Sequence, residues 1–92
     1  MSSSQSTVVY SLFVGGDSAA TTATVSWMRP GETACRPVTI EQTSDGYASL
    51  ERKLRAAGQA PDHVLVVLEA TGSYWITLAT QLVHAGFQVR VI

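Results

Sequence analysis

The spacing of hydrophobic positions changes several times along the chain, and each change predicts a new element. Val64 to Leu68 is an unbroken aliphatic run that leads directly into Glu69. A short run rich in β-branched residues is typical of a strand buried on both faces. Val8 to Val14 is a second apolar run, which passes through two glycines to Asp17. The pattern therefore predicts two buried strands that each end at a carboxylate.

Two further segments alternate apolar and polar residues, which indicates strands with one wet face. Ala23 to Trp27 is the first of them and Val38 to Glu41 is the second. Arg29 to Glu32 contains a proline and a glycine, and these residues favour a turn between the two strands. Strands one to three are therefore predicted to form an antiparallel meander.

In two later segments the apolar residues recur with the helical period of about 3.6 residues. The first apolar stripe runs from Tyr47 to Ala57, with Ser44 as the expected N-cap and Gly58 as the expected C′ residue. A second helix is expected to begin within Thr71 to Ser73 and to end at Gly86. Its predicted stripe is Trp75, Leu78, Ala79, Leu82 and Val83. The segment after it, Phe87 to Val91, alternates again and predicts a fifth strand.

The resulting order, β-β-β-α-β-α-β, limits the possible topologies. Right-handed crossovers and a meander favour the sheet order 3-2-1-4-5, with both helices on one face. Strands one and four are then parallel neighbours, ~4.8 Å apart, so that Asp17 and Glu69 share one end of the sheet. This arrangement is an α/β fold of the ribonuclease H-like (RuvC-like) class, here without C-terminal helices. The second sheet face stays uncovered, and we expect the chain to self-associate through it.

Composition narrows the function classes. The 92 residues suit one small domain, and the net charge of −1 excludes a broad basic field for nucleic acid or an acidic membrane. The single Cys35 excludes an internal disulfide and fits a reducing cytoplasm. Met1 to Thr7 is rich in serine and predicts a disordered leader. The remainder, residues 8–92, is then part of one domain with the ribonuclease H-like topology.

Asp17 and Glu69 are the candidate catalytic and metal-binding residues. Two neighbouring carboxylates repel each other unless a proton or a cation lies between them. Mg²⁺ prefers such oxygen ligands and commonly binds one or two carboxylates together with substrate phosphates. The alternative is that both acids are solvated residues at strand ends. The spacing alone leaves both interpretations open.

Longer motifs add a family resemblance. The segment from Leu68 to Trp75, LEATGSYW, with the following helix and the strand that ends at Ile92, resembles the N-terminal domain of DEDD-type insertion-sequence transposases. The group is the one of IS-one-ten and IS-eleven-eleven, which have a RuvC-like nuclease domain. Phe13 to Asp17, FVGGD, resembles the family's first strand and first acid. The resemblance covers nearly everything after the leader.

The resemblance implies a Mg²⁺-dependent (or Mn²⁺-dependent) recombinase that cuts and joins DNA at element ends, guided in some members by an element-encoded RNA. Asp17 and Glu69 would be its first two metal-binding acids. Its third and fourth acids and its serine nucleophile would lie beyond Ile92, so the 92 residues alone are expected to be inactive. The chain departs from the family at Gly16, where an aliphatic residue is usual, and at Ala20, where a lysine is common.

Two other functions remain open. An actin or sugar-kinase type ATPase lobe has the same element order, although such lobes have a glycine two residues after the first acid, where this chain has Ala19. A non-catalytic binding module would use the uncovered sheet face. Two further acids in an in-frame continuation would favour the transposase.

Overall fold

The computed structural model describes residues 9–58 and 60–92. The predicted leader lies outside the described residues. The elements, in chain order, are β1 (Leu12–Ser18), β2 (Thr22–Met28), β3 (Val38–Glu41), α1 (Ser44–Gly58), a 3-10 turn (Pro61–His63), β4 (Val64–Leu68), α2 (Trp75–His84) and β5 (Gln88–Val91). The predicted order β-β-β-α-β-α-β is therefore confirmed.

One five-stranded sheet has the order β3-β2-β1-β4-β5. β2 is antiparallel to both of its neighbours, and β1, β4 and β5 are parallel. The predicted sheet order is confirmed, and with it the ribonuclease H-like arrangement. β1 lies at the centre, where it bonds to β2 on one side and to β4 on the other.

The first strand occupies different residues from those predicted. The predicted strand, Val8 to Val14, started before the described part of the chain, whereas β1 begins at Leu12 and continues to Ser18. Gly15 and Gly16 lie inside the strand because the ladders on both sides hold their backbone. A Cβ at Gly16 would lie 2.9 Å from Leu68 Cδ2, so its glycine permits close packing. Asp17 is consequently a residue within the strand and does not end it.

Both helices cover the same face of the sheet. The core is one cluster, to which α1 contributes Tyr47, Leu50 and Leu54, and α2 contributes Leu78, Ala79 and Leu82. Each strand contributes only the alternate residues that face the helices. These are Leu12, Val14, Ala23, Val25, Ile40, Val64, Val66 and Leu68. Trp27 and Trp75 pack against this cluster. The predicted one-sided layering is therefore confirmed.

The ends of α1 differ from the prediction. Thr43, not Ser44, is the N-cap, because its Oγ1 accepts a hydrogen bond from the Gly46 N–H at 3.1 Å. Gly58 belongs to the helix, and its φ is not positive, so it is not the predicted C′ residue. Its lack of a side chain instead lets the end of α1 approach β1 and β4 closely.

The start of α2 also differs, and its end agrees. Trp75 follows a turn in which Gly72 has φ 61°, so α2 begins after the predicted start within Thr71 to Ser73, and no side chain caps it. Val83, which was predicted to be in the stripe, is exposed. Gly86 ends the helix as predicted, with φ 97°. The Gly86 and Phe87 amides donate to the Val83 and Leu82 carbonyls, which is a Schellman motif.

The opposite face of the sheet is open over the described residues. Phe13 and Met28 are 36% and 38% exposed there, and Leu65 and Val67 are half-buried. Tyr10 packs edge-on against Phe13, with the ring centroids 6.1 Å apart. We call this surface the open face. The self-association expected from it stays a prediction.

Candidate metal centre

Asp17 and Glu69 are neighbours on the open face. The parallel register pairs Gly16 with Leu68, and the Glu69 amide donates to the Gly16 carbonyl at 3.3 Å. The next residues along the two chains are Asp17 and Glu69. Leu68 and Gly16 face the helices, so the two acids point to the opposite side. Their Cα atoms are therefore separated by about one strand spacing, ~4.8 Å.

The acid pair is part of a row of side chains that crosses the sheet. Asp17 pairs with Thr24, which pairs in turn with Thr39. The Thr24 and Thr39 hydroxyl oxygens lie 3.4 Å apart. On the other side, the Leu68 carbonyl accepts from Ile92 and the Ile92 carbonyl accepts from Ala70, which places Ile92 beside Glu69. Hydroxyls thus flank the carboxylates on one side, and an aliphatic residue flanks them on the other.

A shallow cavity of about 360 Å³ adjoins this row of side chains. Asp17, Glu69 and Thr24 line it, together with Ile92 and Pro37. Gly15, Ser26 and Val67, which form the next row of the open face, line it too. A Cβ at Gly15 would meet no atom within 4 Å, so this position borders open space. Both carboxylates therefore border one solvent-accessible cavity.

The donor set fits a magnesium ion. Asp17 and Glu69 are both exposed, so water or a substrate oxygen has access to the remaining coordination positions. Mg²⁺ keeps several waters and is commonly held by one or two carboxylates plus substrate phosphates. Within residues 9–58 and 60–92, no group of three or more His, Cys, Asp or Glu side chains could hold a metal. The residues present thus suit an open, two-carboxylate site and not a closed cage.

A family model covers the residues of this site. The family model for DEDD transposases of the IS110 (IS-one-ten) type matches residues 14–92. That range includes both acids and the complete row across the sheet. The chain belongs to this transposase family.

Comparisons at the level of whole proteins add little to the family assignment. No curated protein matches the transposase chain. Among solved structures, the chain is similar to a PPX-GPPA enzyme of Aquifex aeolicus, with 12% identity and a TM-score of 0.37. The match covers 88% of this chain and 35% of the enzyme. Among the described residues, no helix is long and apolar enough to cross a membrane.

The sequence predicted that Asp17 and Glu69 lie side by side, but it did not indicate the residues around them. Thr24 and Ser26 were recognised only as the wet face of a strand. Counting outward from the short connection at Ala19 to Thr21 pairs β2 with β1 and places Thr24 beside Asp17. The alternation in β5 indicated Val89 and Val91, which face the helices, and gave no signal for Arg90 or Ile92.

Proposed function

We propose that this chain forms the part of a transposase nuclease domain in which Asp17 and Glu69 hold a divalent ion, Mg²⁺ or Mn²⁺, for DNA strand cleavage and transfer at the ends of an insertion element. One observation carries the proposal. Two acids from adjacent parallel strands lie side by side on an open face, above a cavity. Family membership supports the reaction class, and the geometry supports the choice of these two residues.

Each acid has a fixed backbone, which matters for holding an ion. Asp17 lies in the central strand, where it pairs with Thr24 of β2, and the preceding residue, Gly16, accepts a hydrogen bond from the Glu69 amide. Glu69 follows β4 directly, and its amide bonds to β1. When bound, the ion would stabilise negative charge on the attacking and leaving oxygens of a phosphodiester. The chain's own contribution is to place two oxygen ligands together and to leave water and substrate access to the rest.

Two carboxylates are half of the acid set that the family name denotes. We propose that the remaining acids and a nucleophilic serine come from outside these residues, and that DNA and a guide RNA bind the complete assembly. Such a division fits a chain whose described residues offer only two neighbouring acids. The transposase activity of these residues alone should accordingly be very low.

The direct test is a transposition assay in cells, with a marked element whose transposase contains this chain. Asp17→Asn and Glu69→Gln keep the side-chain shapes and remove the charges. Loss of an outer-sphere partner already costs about 10–100-fold in metal affinity or activity, so loss of a ligand should cost at least this much. Asp62→Asn is the matched control, because Asp62 is exposed and lies before the opposite end of β4. Wild-type transposition by Asp17→Asn would contradict the proposal.

The two alternative functions predict other outcomes. An ATPase lobe would bind magnesium ATP, although Ala19 occupies the position where such lobes have a glycine for the nucleotide phosphates. A binding module would keep its partner after both acid substitutions, because it would use Phe13, Met28 and Leu65 of the open face instead. Loss of transposition in the two acid variants, with retention in Asp62→Asn, favours the nuclease over both.

A further inference from the structure

Asp17 lies one residue beyond the last pair of the β1–β4 ladder. That ladder ends at Gly16 and Leu68, and the Glu69 amide reaches the Gly16 carbonyl only at 3.3 Å, which is long for a hydrogen bond. On its other side, Asp17 stays paired with β2, to which the chain turns back through the exposed residues 19–21. We call residues 19–22 the hairpin tip. The position of Asp17 relative to Glu69 therefore depends on how firmly this tip is held.

Gln42 holds the hairpin tip with three hydrogen bonds. Its side-chain Nε2 donates to the Ala19 carbonyl at 2.8 Å and to the Thr22 carbonyl at 3.3 Å. Its backbone amide donates to the Thr21 carbonyl at 2.8 Å. One residue thus binds three carbonyls of a connection that begins two residues after Asp17.

The Gln42 side chain is itself anchored to the start of α1. The Tyr47 phenol donates to Gln42 Oε1 at 2.9 Å, and only 6% of Tyr47 is exposed. Burial raises the pKa of this phenol, so it keeps its proton and remains a donor at neutral pH. The two carbonyls of the tip fix the orientation of the Gln42 amide, because a flip would turn its oxygen toward them. A defined chain of hydrogen bonds therefore connects α1 to the hairpin tip.

The local structure does not depend on the Gln42 side chain for its own closure. The Ala19 amide donates to the Thr22 carbonyl at 2.8 Å, which closes the hairpin, and Thr43 caps α1. The hydrogen bond from Gln42 to Ala19 is exposed, so water could replace the donor. What water cannot replace is the fixed connection to α1. The distinct effect of the side chain is therefore to hold the tip in one position.

We infer that Gln42 is a positioning residue for the metal centre, where it fixes the hairpin tip and thereby the separation of the Asp17 and Glu69 carboxylates. This inference rests on the proposed metal role of the two acids. An ion held by both carboxylates constrains their separation, so a tip that moves must be ordered each time an ion binds. With Gln42 in place this order exists before binding, and less affinity is lost to it.

The test measures Mn²⁺ affinity of the 92-residue chain by NMR line broadening. Concentration and temperature are chosen so that sedimentation shows one species and circular dichroism shows each variant to be folded. Gln42→Met keeps the length and neutrality of the side chain and removes its hydrogen bonds. It should weaken Mn²⁺ binding about tenfold, the lower end of the loss known for groups that orient metal ligands. Hydrogen exchange at the Ala19 amide should also be faster than in the wild type, because the tip opens more often.

Gln42→Glu separates positioning from electrostatics. An added negative charge by itself strengthens cation binding, whereas a carboxylate beside the Ala19 and Thr22 carbonyls repels them and displaces the tip. Positioning therefore predicts weaker Mn²⁺ binding in Gln42→Glu as well. Tyr47→Phe keeps the buried ring and removes only the phenol group. It should weaken binding by a smaller factor of about two to three, and it serves as the test if the Gln42 variants do not fold.

Thr43→Ala is the matched control for stability, because it removes the cap of α1 next to Gln42 and leaves the hairpin tip unchanged. Its folded chain should bind Mn²⁺ as the wild type does. Equal Mn²⁺ affinity in Gln42→Met and the wild type, or tighter binding in Gln42→Glu, would overturn the inference. An equal loss in Thr43→Ala would overturn it too. In each of these cases Mn²⁺ still broadens the wild-type amides around Asp17 and Glu69; if it does not, the proposed function itself fails.

Discussion

Gly58 connects α1 to the strand pair that aligns the two acids. A Cβ at this position would lie 2.7 Å from Val64 Cγ2 and 2.9 Å from Leu12 Cβ. Leu12 and Val64 are paired residues at the start of the β1–β4 ladder, and both are fully buried. The Ser11 hydroxyl also donates to the Gly58 carbonyl at 2.7 Å. Neither neighbour can therefore move without disturbing this ladder.

The expected cost of Gly58→Ala follows from two opposing terms. Overpacking a core typically costs about 1–3 kcal/mol. The gain in helix propensity is at most ~1 kcal/mol, and it is smaller at a helix end. The free energy of unfolding should therefore fall by about 1–2 kcal/mol, and the Tm by roughly 5–15 °C for a domain of this size.

Urea unfolding followed by circular dichroism measures this change at constant m-value. Gly15→Ala is the matched control, since its Cβ meets no atom within 4 Å, and its stability should be unchanged or slightly higher. Val64→Ala removes the nearest methyl group, so the cost of Gly58→Ala should be smaller in that background, with a coupling of about 0.5 kcal/mol or more. A Gly58→Ala chain as stable as the wild type would refute the packing argument.

Three further predictions concern the cap, a buried phenol and nucleic acid. Thr43→Ala should lower the free energy of unfolding by about 1 kcal/mol, and Ser44→Ala should lower it by clearly less. Urea titration measures both changes, and a larger loss for Ser44→Ala would show that Ser44 is the cap. Burial raises the pKa of the Tyr47 phenol, so its contribution to stability is fully present below pH ~10 and is lost as the pH rises through the higher folded pKa. Unfolding at pH 9 to 11 should show this loss in wild type and in Tyr74→Phe but less of it in Tyr47→Phe; equal loss in Tyr47→Phe would contradict the assignment. With a net charge of −1, the 92 residues should bind duplex DNA weakly and with little salt dependence in an anisotropy titration, and a steep dependence would contradict this.

The topology could be predicted from the sequence because most of the strands and helices show a clear pattern of apolar and polar residues. The run Val64 to Leu68 and the alternation in Ala23 to Trp27 specify strands, and chain connectivity with right-handed crossovers leaves one simple sheet order. The position of β1 could not be predicted in this way. Gly15-Gly16 normally indicates the end of a strand. Here two neighbouring strands hold its backbone, which is a tertiary effect.

The acids could be predicted, whereas their surroundings could not. Glu69 directly follows a run of buried aliphatic residues. This pattern can be recognised in the sequence without knowing which strand is its neighbour. Thr24, Ser26 and Arg90 become neighbours of the site only through register, and a shift of one residue would turn each of them to the helix side. The predicted N-cap of α1 was wrong because Thr43 and Ser44 are both good cap residues. Only the backbone geometry distinguishes them.

Titration of the chain with Mn²⁺, followed by NMR line broadening, tests the central claim most directly. A paramagnetic ion held by both acids should broaden the amides around Asp17 and those around Glu69 at the same metal concentration, while those around Asp62 stay sharp. Asp17→Asn should abolish both effects together, and Asp62→Asn should leave both unchanged. Broadening confined to one of the two acids, or unchanged in Asp17→Asn, would show that they do not share an ion.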